Sequence, residues 1–246
     1  MKLTLEKDGQ HYSFQTEKGM DLSISLNPNG PRAWYVEPMR IEPVRTEQFL
    51  GSVAEGGAVN FRDVYFNPHG HGTHTENVGH IIDTDFPVVR SIGSSHYLAK
   101  LISVELKKEA EDWVVSEESL AGLDLNVEAL IIRTKPNDHS KTNRQYSGTN
   151  FPYLTLGAMQ RIVDAGVQHL LIDLPSVDRE EDGGALAAHH LFWNVPSEPN
   201  FQKTITELIY VPNEIADGSY VLNLQVSNFA NDAAPSRPML FALAAE

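Results

Sequence analysis

The 246-residue chain contains no cysteine. It therefore forms no disulfide bond, and it has no thiolate to act as a nucleophile or to bind a metal, which excludes a cysteine-type zinc finger. Uninterrupted apolar runs fall far short of the roughly 20 residues that a membrane-spanning helix needs. Residues 1–8 alternate between polar and apolar side chains and lack the apolar centre of a signal peptide. A cytoplasmic location is the default expectation.

Basic side chains are also scarce, because 19 Lys and Arg residues stand against 33 Asp and Glu residues, for a formal charge of −14. This excess would repel phosphates, so nucleic acid is not expected as a partner. A small anionic substrate remains compatible with it, since a bound dication reverses the local field. Neither a Gly-x-Ser-x-Gly elbow nor a Walker loop occurs. The length and ordinary composition predict one domain over residues 1–246.

Alternating and buried-type apolar stretches predict a chain with many strands and two helices. Helices are predicted over 154–165, where Gly166 ends the pattern, and over 184–193. The order of strand 129–134, helix and strand 167–174 indicates a βαβ unit, and hence an α/β fold. Residues 51–60 and 136–149 are predicted to be loops, the second on the surface. The predicted strands cover 3–6 and 11–15 (a hairpin around Asp8-Gly9), 21–26, 97–106, 129–134, 167–174, 204–211, 220–226 and 238–243.

Four of the ten histidines lie within twelve residues, with one glutamate among them: His69, His71, His74, Glu76 and His80. Side chains two apart on a strand point to the same face, so His74 and Glu76 can share a metal ion. Either His69 or His71 can fold back to complete the ligand set, and His80 follows the Gly79 bend near this site. Such ligands suit Zn²⁺, Mn²⁺ or Fe²⁺. The alternatives are a histidine-rich surface loop that binds nothing and a purely structural metal.

The segment Gly-Thr-His-Thr-Glu at residues 72–76, followed by His80, resembles the signature of the metal-dependent cyclase family, which includes bacterial kynurenine formamidase and isatin hydrolase. The family pattern is histidine, a short spacer with Gly-Thr, histidine, any residue, aspartate, and histidine four positions on. The resemblance implies the family's swivelling β/β/α fold. Five further segments resemble family motifs in the same order: residues 21–26, 171–178, 188–189, 205–208 and 233–237.

The resemblance implies a centre of one or two ions, Zn²⁺ or Mn²⁺. His74 corresponds to a ligand of the first metal, and Glu76 replaces the aspartate that bridges both metals. Glutamate is longer by a methylene, so the resemblance fixes neither the distance between the two metals nor the presence of the second metal. For the upstream ligand, His69 is favoured because it follows Pro68 as in the family, and His71 is the alternative.

Residues far downstream correspond to the rest of the centre. His189, with His190 as the alternative, and Glu207 match the ligands of the second metal. The interval between them is longer than usual and indicates an insertion around residues 196–200. His80 corresponds to the catalytic histidine.

Several other residues have two interpretations. Trp34, followed by Tyr35, either forms an aromatic substrate wall or packs in the core. Asp173 and Asp178 are expected to brace neighbouring groups or cap a helix rather than bind metal. The remaining expectations are an Arg237 that pairs with an acidic neighbour, a core position for Trp193, a solvated turn at residues 180–182, and structural or exposed roles for His96, His139 and His169.

The function predicted from these residues is metal-dependent hydrolysis of an amide-type C–N bond, in an aryl formamide or a cyclic amide. The metal would activate water and His80 would transfer protons. The competing hypothesis is a metal-dependent lyase, dehydratase or cyclase that acts on a carbonyl substrate. A third class is a protein that captures a ligand through its metal without turnover. Relatives imply a homodimer or homotetramer.

Overall fold

The computed structural model describes residues 1–7 and 9–244 and has the mixed α/β architecture expected from the sequence. No helix within these residues is long and apolar enough to cross a membrane. The helices are α1 (Leu156–Asp164) and α2 (Ala187–Trp193). The strands of the described residues are β1 (Lys2–Lys7), β2 (Gln10–Gln15), β3 (Met20–Asp21), β4 (Arg40–Pro43), β5 (Arg62–Tyr65), β6 (His74–Glu76), β7 (His96–Glu105), β8 (Lys107–Glu109), β9 (Asp112–Val115), β10 (Ala129–Lys135), β11 (Tyr153–Leu154), β12 (His169–Ile172), β13 (Thr204–Glu207), β14 (Gly218–Asn223), β15 (Ala233–Pro235) and β16 (Met239–Ala242).

Nine strands form the main sheet in the order β15-β6-β13-β12-β10-β7-β14-β16-β3. The four central strands β7, β10, β12 and β13 are parallel, and the outer pairings are antiparallel. Alternate residues of β10 enter opposite cores: Leu130 and Ile132 pack on one face, and Ala129 and Ile131 on the other. Burial on both faces explains why β10 is apolar without alternation.

The βαβ prediction is confirmed, because β10 and β12 are adjacent and parallel with α1 between them. Helix α1 begins after Thr155, whose hydroxyl accepts a hydrogen bond from the Ala158 N–H at 3.2 Å. It ends before Gly166, which adopts a left-handed φ of 78°. The helix is therefore shorter than predicted at its start, because the Thr155 cap lies inside the apolar pattern.

The sheet also explains how distant segments meet at one place. Strands β12 and β13 are parallel, so the segments that follow them leave the same edge of the sheet. Strand β6 runs antiparallel to β13, which places His74 opposite Glu207. At the next pair along, the Thr75 and Thr206 hydroxyl groups lie 2.8 Å apart and join the strands a second time. Two of the predicted metal ligands are thus cross-strand neighbours.

The predicted strand over residues 21–26 is wrong for most of its length. Strand β3 ends at Asp21, and only an isolated bridge at Ser23 follows. The Asp21 carboxylate accepts hydrogen bonds from the Ser23 N–H at 2.9 Å and from its hydroxyl at 2.6 Å. Ile24 N–H then donates to the Thr73 hydroxyl. Leu22 keeps backbone hydrogen bonds to Pro238 and Tyr210, but side chains accept the N–H groups of Ser23 and Ile24, which period-two alternation cannot reveal.

The loop at residues 136–149 is confirmed as a loop but is not wholly on the surface. Lys141 and Tyr146 are both buried. The Lys141 ammonium group donates to Asp173 Oδ2 at 2.7 Å and to the Thr134 carbonyl at 2.8 Å. This buried ion pair ties the loop to the ends of β10 and β12.

Two of the smaller sheets bear on the predictions. Strands β1 and β2 pair in antiparallel fashion, as predicted, although Asp8 of the predicted turn lies outside the described residues. Strands β4 and β5 form a hairpin arm that was not predicted, because its side chains stay largely exposed and show no buried face.

Candidate metal centre

His74 lies at the centre of the site, at the start of β6, and its side chain is fully buried. Its Nδ1 lies 3.0 Å from the carbonyl oxygen of Gly72, so Nδ1 carries the proton and donates it there. The other ring nitrogen, Nε2, lies 3.4 Å from Glu207 Oε2. It makes no hydrogen bond with any of the residues that the structure describes. A buried nitrogen with a lone pair directed at a carboxylate is poised to bind a cation.

His189 on α2 reaches the same cluster from a separate segment of the chain. Its Nε2 lies 3.1 Å from Glu76 Oε1 and 3.9 Å from Glu207 Oε1. Its Nδ1 lies 2.6 Å from Asp178 Oδ2, which fixes the proton on Nδ1. The structure thus brings the two downstream candidates, His189 and Glu207, to the segment that carries His74 and Glu76.

Asp178 braces the site, as its predicted role requires. Besides His189 Nδ1, its carboxylate accepts the backbone N–H groups of Ala188 and His189 at 2.8 and 3.1 Å. It therefore fixes both the start of α2 and the orientation of the His189 ring. Asp173 lies outside the cluster and binds Thr134 and Lys141 instead.

The structure distinguishes between the two upstream histidines. His69 Nδ1 lies 3.0 Å from Glu76 Oε2, inside the cluster. His71 points elsewhere: its Nδ1 accepts the Asn67 N–H at 2.8 Å, and its Nε2 lies 2.8 Å from the Glu37 carbonyl oxygen. Both nitrogens of His71 are occupied by backbone groups, so His69 is the histidine that is placed to bind a metal. On α2 the corresponding side chain is that of His189 rather than His190.

His80 stands at the mouth of the cluster, at the end of the short turn Val78–His80. Asn77 caps this turn, because its side-chain oxygen accepts the Gly79 N–H at 2.9 Å. His80 Nδ1 lies 3.9 Å from Glu76 Oε2 and 3.5 Å from Asp232 Oδ2. The ring is partly exposed, so it is accessible to a molecule that enters the site.

Asp232, just before β15, was not singled out in the sequence. Its Oδ2 lies 2.9 Å from His69 Nε2 and also faces His80. The residue precedes the Ala-Ala-Pro-Ser-Arg segment at 233–237, and only this proximity to a family-like motif could have drawn attention to it. Arg237 itself points away and pairs with Asp21 at 2.8 Å, as expected.

The acidic groups of the site strongly affect its histidines. Burial lowers the pKa of His69, but hydrogen bonds to Asp232 and Glu76 outweigh it and raise the pKa to about 10. Burial also lowers the pKa of His189, and hydrogen bonds to Asp178 and Glu76 raise it to about 10. Burial and the nearby Glu76 charge raise the pKa of the Glu207 carboxyl group. The centre therefore stabilises positive charge, whether on imidazolium groups or on a bound cation.

The cluster opens into a cavity of about 270 Å³. Its wall includes Trp34, whose ring packs edge-on against Phe151 with centroids 5.5 Å apart. Trp34 and Leu186 both line the cavity in left-handed backbone conformations, with φ of 61° and 44°. Strain of this kind in non-glycine residues clusters at functional sites. Trp34 thus meets both interpretations, since it faces the cavity and packs against a core ring.

The donor set fits a divalent metal ion. Three histidine rings each have one nitrogen opposite an oxygen acceptor and the other directed at Glu76 or Glu207. Nitrogen and carboxylate oxygen donors of this kind suit Zn²⁺ or Mn²⁺. The His74 Nε2, which makes no hydrogen bond among the described residues although it faces the Glu207 carboxylate, is the observation that a bound cation would explain. Candidate groups include His69 with His74 and Glu76, and Glu76 with His80 and His189.

Three further predictions concern side chains around the site. Trp193 is buried in the core, as expected, and its indole N–H donates to the Lys203 carbonyl at 3.1 Å. The turn at residues 180–182 is more than a solvated run, because Glu180 accepts the backbone N–H of Asn150 at 3.0 Å. His169 is buried against Tyr97 and is structural.

Solved structures with the same fold include a predicted metal-dependent hydrolase and isatin hydrolases. A predicted metal-dependent hydrolase from Bacillus stearothermophilus has a TM-score of 0.65 at 16% identity, over 91% of this chain and 98% of that chain. An isatin hydrolase bound to the product analogue thioisatinate has a TM-score of 0.66 at 13% identity, over 92% of this chain and 93% of that chain. Isatin hydrolase A from Ralstonia solanacearum has a TM-score of 0.64 at 16% identity, over 92% of both chains. No curated protein sequence matches significantly.

These likenesses define the class of the fold as that of metal-dependent hydrolases and cyclases. A sequence model of the family described as "Putative cyclase" matches residues 20–179, which is more than half of the chain. The chain belongs to this cyclase family. The predicted resemblance and the predicted α/β fold are both confirmed.

Proposed function

We propose that this protein is a metal-dependent hydrolase that cleaves an amide-type C–N bond, in an aryl formamide or a cyclic amide. The observation that carries the proposal is the buried Nε2 of His74. Among the described residues it makes no hydrogen bond, and it faces the Glu207 carboxylate. A site that directs a lone pair and carboxylates at one point, beside an open cavity, is built for a cation with an accessible position.

The proposed ligands fall into two overlapping sets. His69, His74 and Glu76 would hold one ion, and Glu76 with His189 and Glu207 would hold a second. Zn²⁺ and Mn²⁺ both suit these donors. The bound metal supplies a Lewis acid for the activation of water and the polarisation of a carbonyl oxygen.

His80 is the proposed proton carrier. It lines the cavity, and its Nδ1 faces the Asp232 carboxylate, which leaves Nε2 for proton exchange with bound molecules. In the proposed reaction, His80 accepts a proton from the attacking water and donates one to the leaving nitrogen. Cleavage of the C–N bond then gives an amine and a carboxylate, as two molecules from a formamide or as one ring-opened molecule from a cyclic amide, and the acid proton passes to solvent.

An aromatic, uncharged substrate fits the walls of the cavity. The faces of Trp34 and its neighbour Leu186 are apolar, and the space of about 270 Å³ is small. Two of the structures compared above are isatin hydrolases, one of them holding thioisatinate. These features support isatin-like cyclic amides and aryl formamides as the first compounds to test.

The test is turnover by protein that has been stripped with a chelator and reloaded with Zn²⁺ or Mn²⁺. We expect hydrolysis of isatin or N-formylaniline only after reloading, with one oxygen atom from ¹⁸O-labelled water in the acid product. Metal-dependent turnover of a carbonyl compound without incorporation of ¹⁸O would favour the lyase, dehydratase or cyclase alternative. Tight binding of these compounds without turnover would favour a binding protein.

A homodimer or homotetramer with a small-molecule substrate is also part of the proposal. The β4–β5 arm supports it, because Ile41, Phe61 and Val64 expose apolar surface around this hairpin. Light scattering after size-exclusion chromatography tests it: a monomer at micromolar concentration contradicts the oligomer. A cytoplasmic location stays a prediction from the sequence.

A further inference from the structure

Each of the three histidine rings that face the two glutamates has one nitrogen opposite an oxygen acceptor. For His74 the acceptor is the Gly72 carbonyl, and for His189 it is Asp178. For His69 it is Asp232, a residue that lies just outside the family-like motif at 233–237 and that the sequence analysis does not single out. An acceptor in this position fixes which nitrogen carries the proton and therefore which nitrogen is left for a metal.

Asp232 also faces His80. The same oxygen, Oδ2, lies 2.9 Å from His69 Nε2 and 3.5 Å from His80 Nδ1. The two imidazole rings lie beside each other, with centroids 4.3 Å apart and planes 33° apart. One carboxylate oxygen thus stands between a candidate metal ligand and the candidate proton carrier.

The backbone holds Asp232 rigidly against the turn that carries His80. The Asp232 carbonyl oxygen accepts the Asn77 N–H at 3.1 Å, and Asn77 caps this turn. Its neighbour Asn231 accepts the Val88 N–H at 2.9 Å. A Cβ atom on Gly79 would lie 3.2 Å from the Asp232 Cβ, so the two segments are in close contact. The backbone and Cβ of Asp232 are therefore fixed against the turn that carries His80.

We propose that Asp232 is a positioning residue that holds His69 and His80 at the same time. It keeps the proton of His69 on Nε2, so that His69 binds its metal through Nδ1, whereas His74 and His189 present Nε2. It also accepts the Nδ1 proton of His80 and leaves Nε2 of that ring for proton exchange. The His80 part rests on the proposed function; the His69 part requires only that the centre binds a metal.

The first test uses the wild-type protein loaded with Zn²⁺ and labelled with ¹⁵N in its histidines. Long-range ¹H–¹⁵N correlation spectra identify the protonated nitrogen of each ring, and His69→Gln assigns the His69 signals. We expect His69 to be protonated at Nε2 and metal-bound at Nδ1. The opposite tautomer, or a His69 that does not respond to Zn²⁺, would overturn the proposal. This readout depends on neither a substrate nor a substitution of Asp232.

The second test compares Asp232→Ala and the isosteric Asp232→Asn with Asp83→Asn, which removes an exposed carboxylate shortly after His80. Competition with a chromophoric chelator should show Zn²⁺ affinity reduced about 10- to 100-fold in Asp232→Ala and unchanged in the control. At saturating metal, kcat should fall by a similar factor with KM within about threefold. Asp232→Asn retains one acceptor oxygen, so its Zn²⁺ affinity and its kcat should lie between those of Asp232→Ala and those of Asp83→Asn.

The outcomes separate the two parts of the proposal. Affinity and kcat of Asp232→Ala equal to those of Asp83→Asn would overturn it entirely. A loss of affinity with unchanged kcat would overturn the role at His80 alone. If Asp232→Ala fails to fold, the affinity and kcat of Asp232→Asn, together with the His69 tautomer of the wild-type protein, test the proposal instead. Absence of turnover on every compound tested contradicts the proposed function but leaves the affinity and tautomer results valid.

Discussion

The candidate metal centre has a closed half and an open half. The closed half consists of His74, Glu76, His189 and Glu207, none more than 3% exposed. The open half consists of His69, His80 and Asp232, whose side chains are 21%, 29% and 24% exposed. The closed half is anchored by strands β6 and β13 and helix α2, whereas the open half lies on turns. Rigid burial suits the retention of a cation, and exposure suits contact with an incoming molecule.

Loss of a ligand from the closed half should have the largest effect. In His189→Ala, we expect metal affinity to fall by more than about 100-fold and turnover to disappear, because Glu76 and Glu207 lose the imidazole between them. Metal content after dialysis and kcat/KM measure this. His190→Ala changes the adjacent position on α2 and is the matched control. It should keep both its metal content and its kcat/KM. Equal losses in the two variants would mean that disruption of the helix, not ligation, is responsible.

Removal of the ring at the mouth of the open half should separate metal binding from chemistry. We expect His80→Ala to lower kcat by about 10²- to 10⁴-fold, the usual contribution of general acid–base catalysis, with metal still bound. Metal analysis alongside steady-state kinetics checks this. Parallel loss of metal and activity would show that His80 is a ligand, and the two halves would no longer be distinct.

His169, a buried histidine outside the centre, shows what the carboxylates contribute. Burial lowers the pKa of His169 to about 4, in contrast to His189. Between pH 6.5 and 4 the unfolded chain binds a proton that the folded protein does not, so stability falls as pH falls through this window. The full loss is roughly 3 kcal/mol and is absent above pH 6.5. Urea denaturation of the metal-loaded protein at several pH values measures it.

The control for this prediction is His169→Gln, which keeps a polar group beside Thr204 but does not titrate. Its stability should depend less on pH than that of the wild type within this window, by about the same 3 kcal/mol. Identical pH slopes for the two proteins would contradict the burial argument.

Loss of the aromatic wall should have the smallest effect. In Trp34→Ala we expect KM for an aromatic amide to rise about tenfold, from lost stacking and apolar contact, with kcat within about threefold. Tyr35→Ala is the neighbouring control, because Tyr35 is 68% exposed. A fall in kcat with unchanged KM would instead place Trp34 in the support of the catalytic groups.

Local patterns predicted the centre of the sheet well. Strands β7, β10 and β12 and helix α1 were found within a few residues, because burial on both faces produces apolar runs and capping residues mark helix ends. The β4–β5 hairpin and strand β8 were missed because their side chains lie mostly in solvent and show no apolar alternation. Residues 21–26 alternate like a strand, but the Asp21 and Thr73 side chains accept the N–H groups of Ser23 and Ile24, an arrangement that has no period in the sequence.

The sequence by itself determined the chemistry that is available: histidine and carboxylate ligands without cysteine, one dense cluster at residues 69–80, and a family-like order of motifs. Tertiary structure alone decided which of these groups meet. It turned His69 inward and His71 toward the backbone, although the two are separated only by Gly70. It also brought Asp232 to His80 across more than half of the chain. The reason is physical: ring orientation depends on hydrogen-bond partners that chain topology supplies, and residue order does not encode them locally.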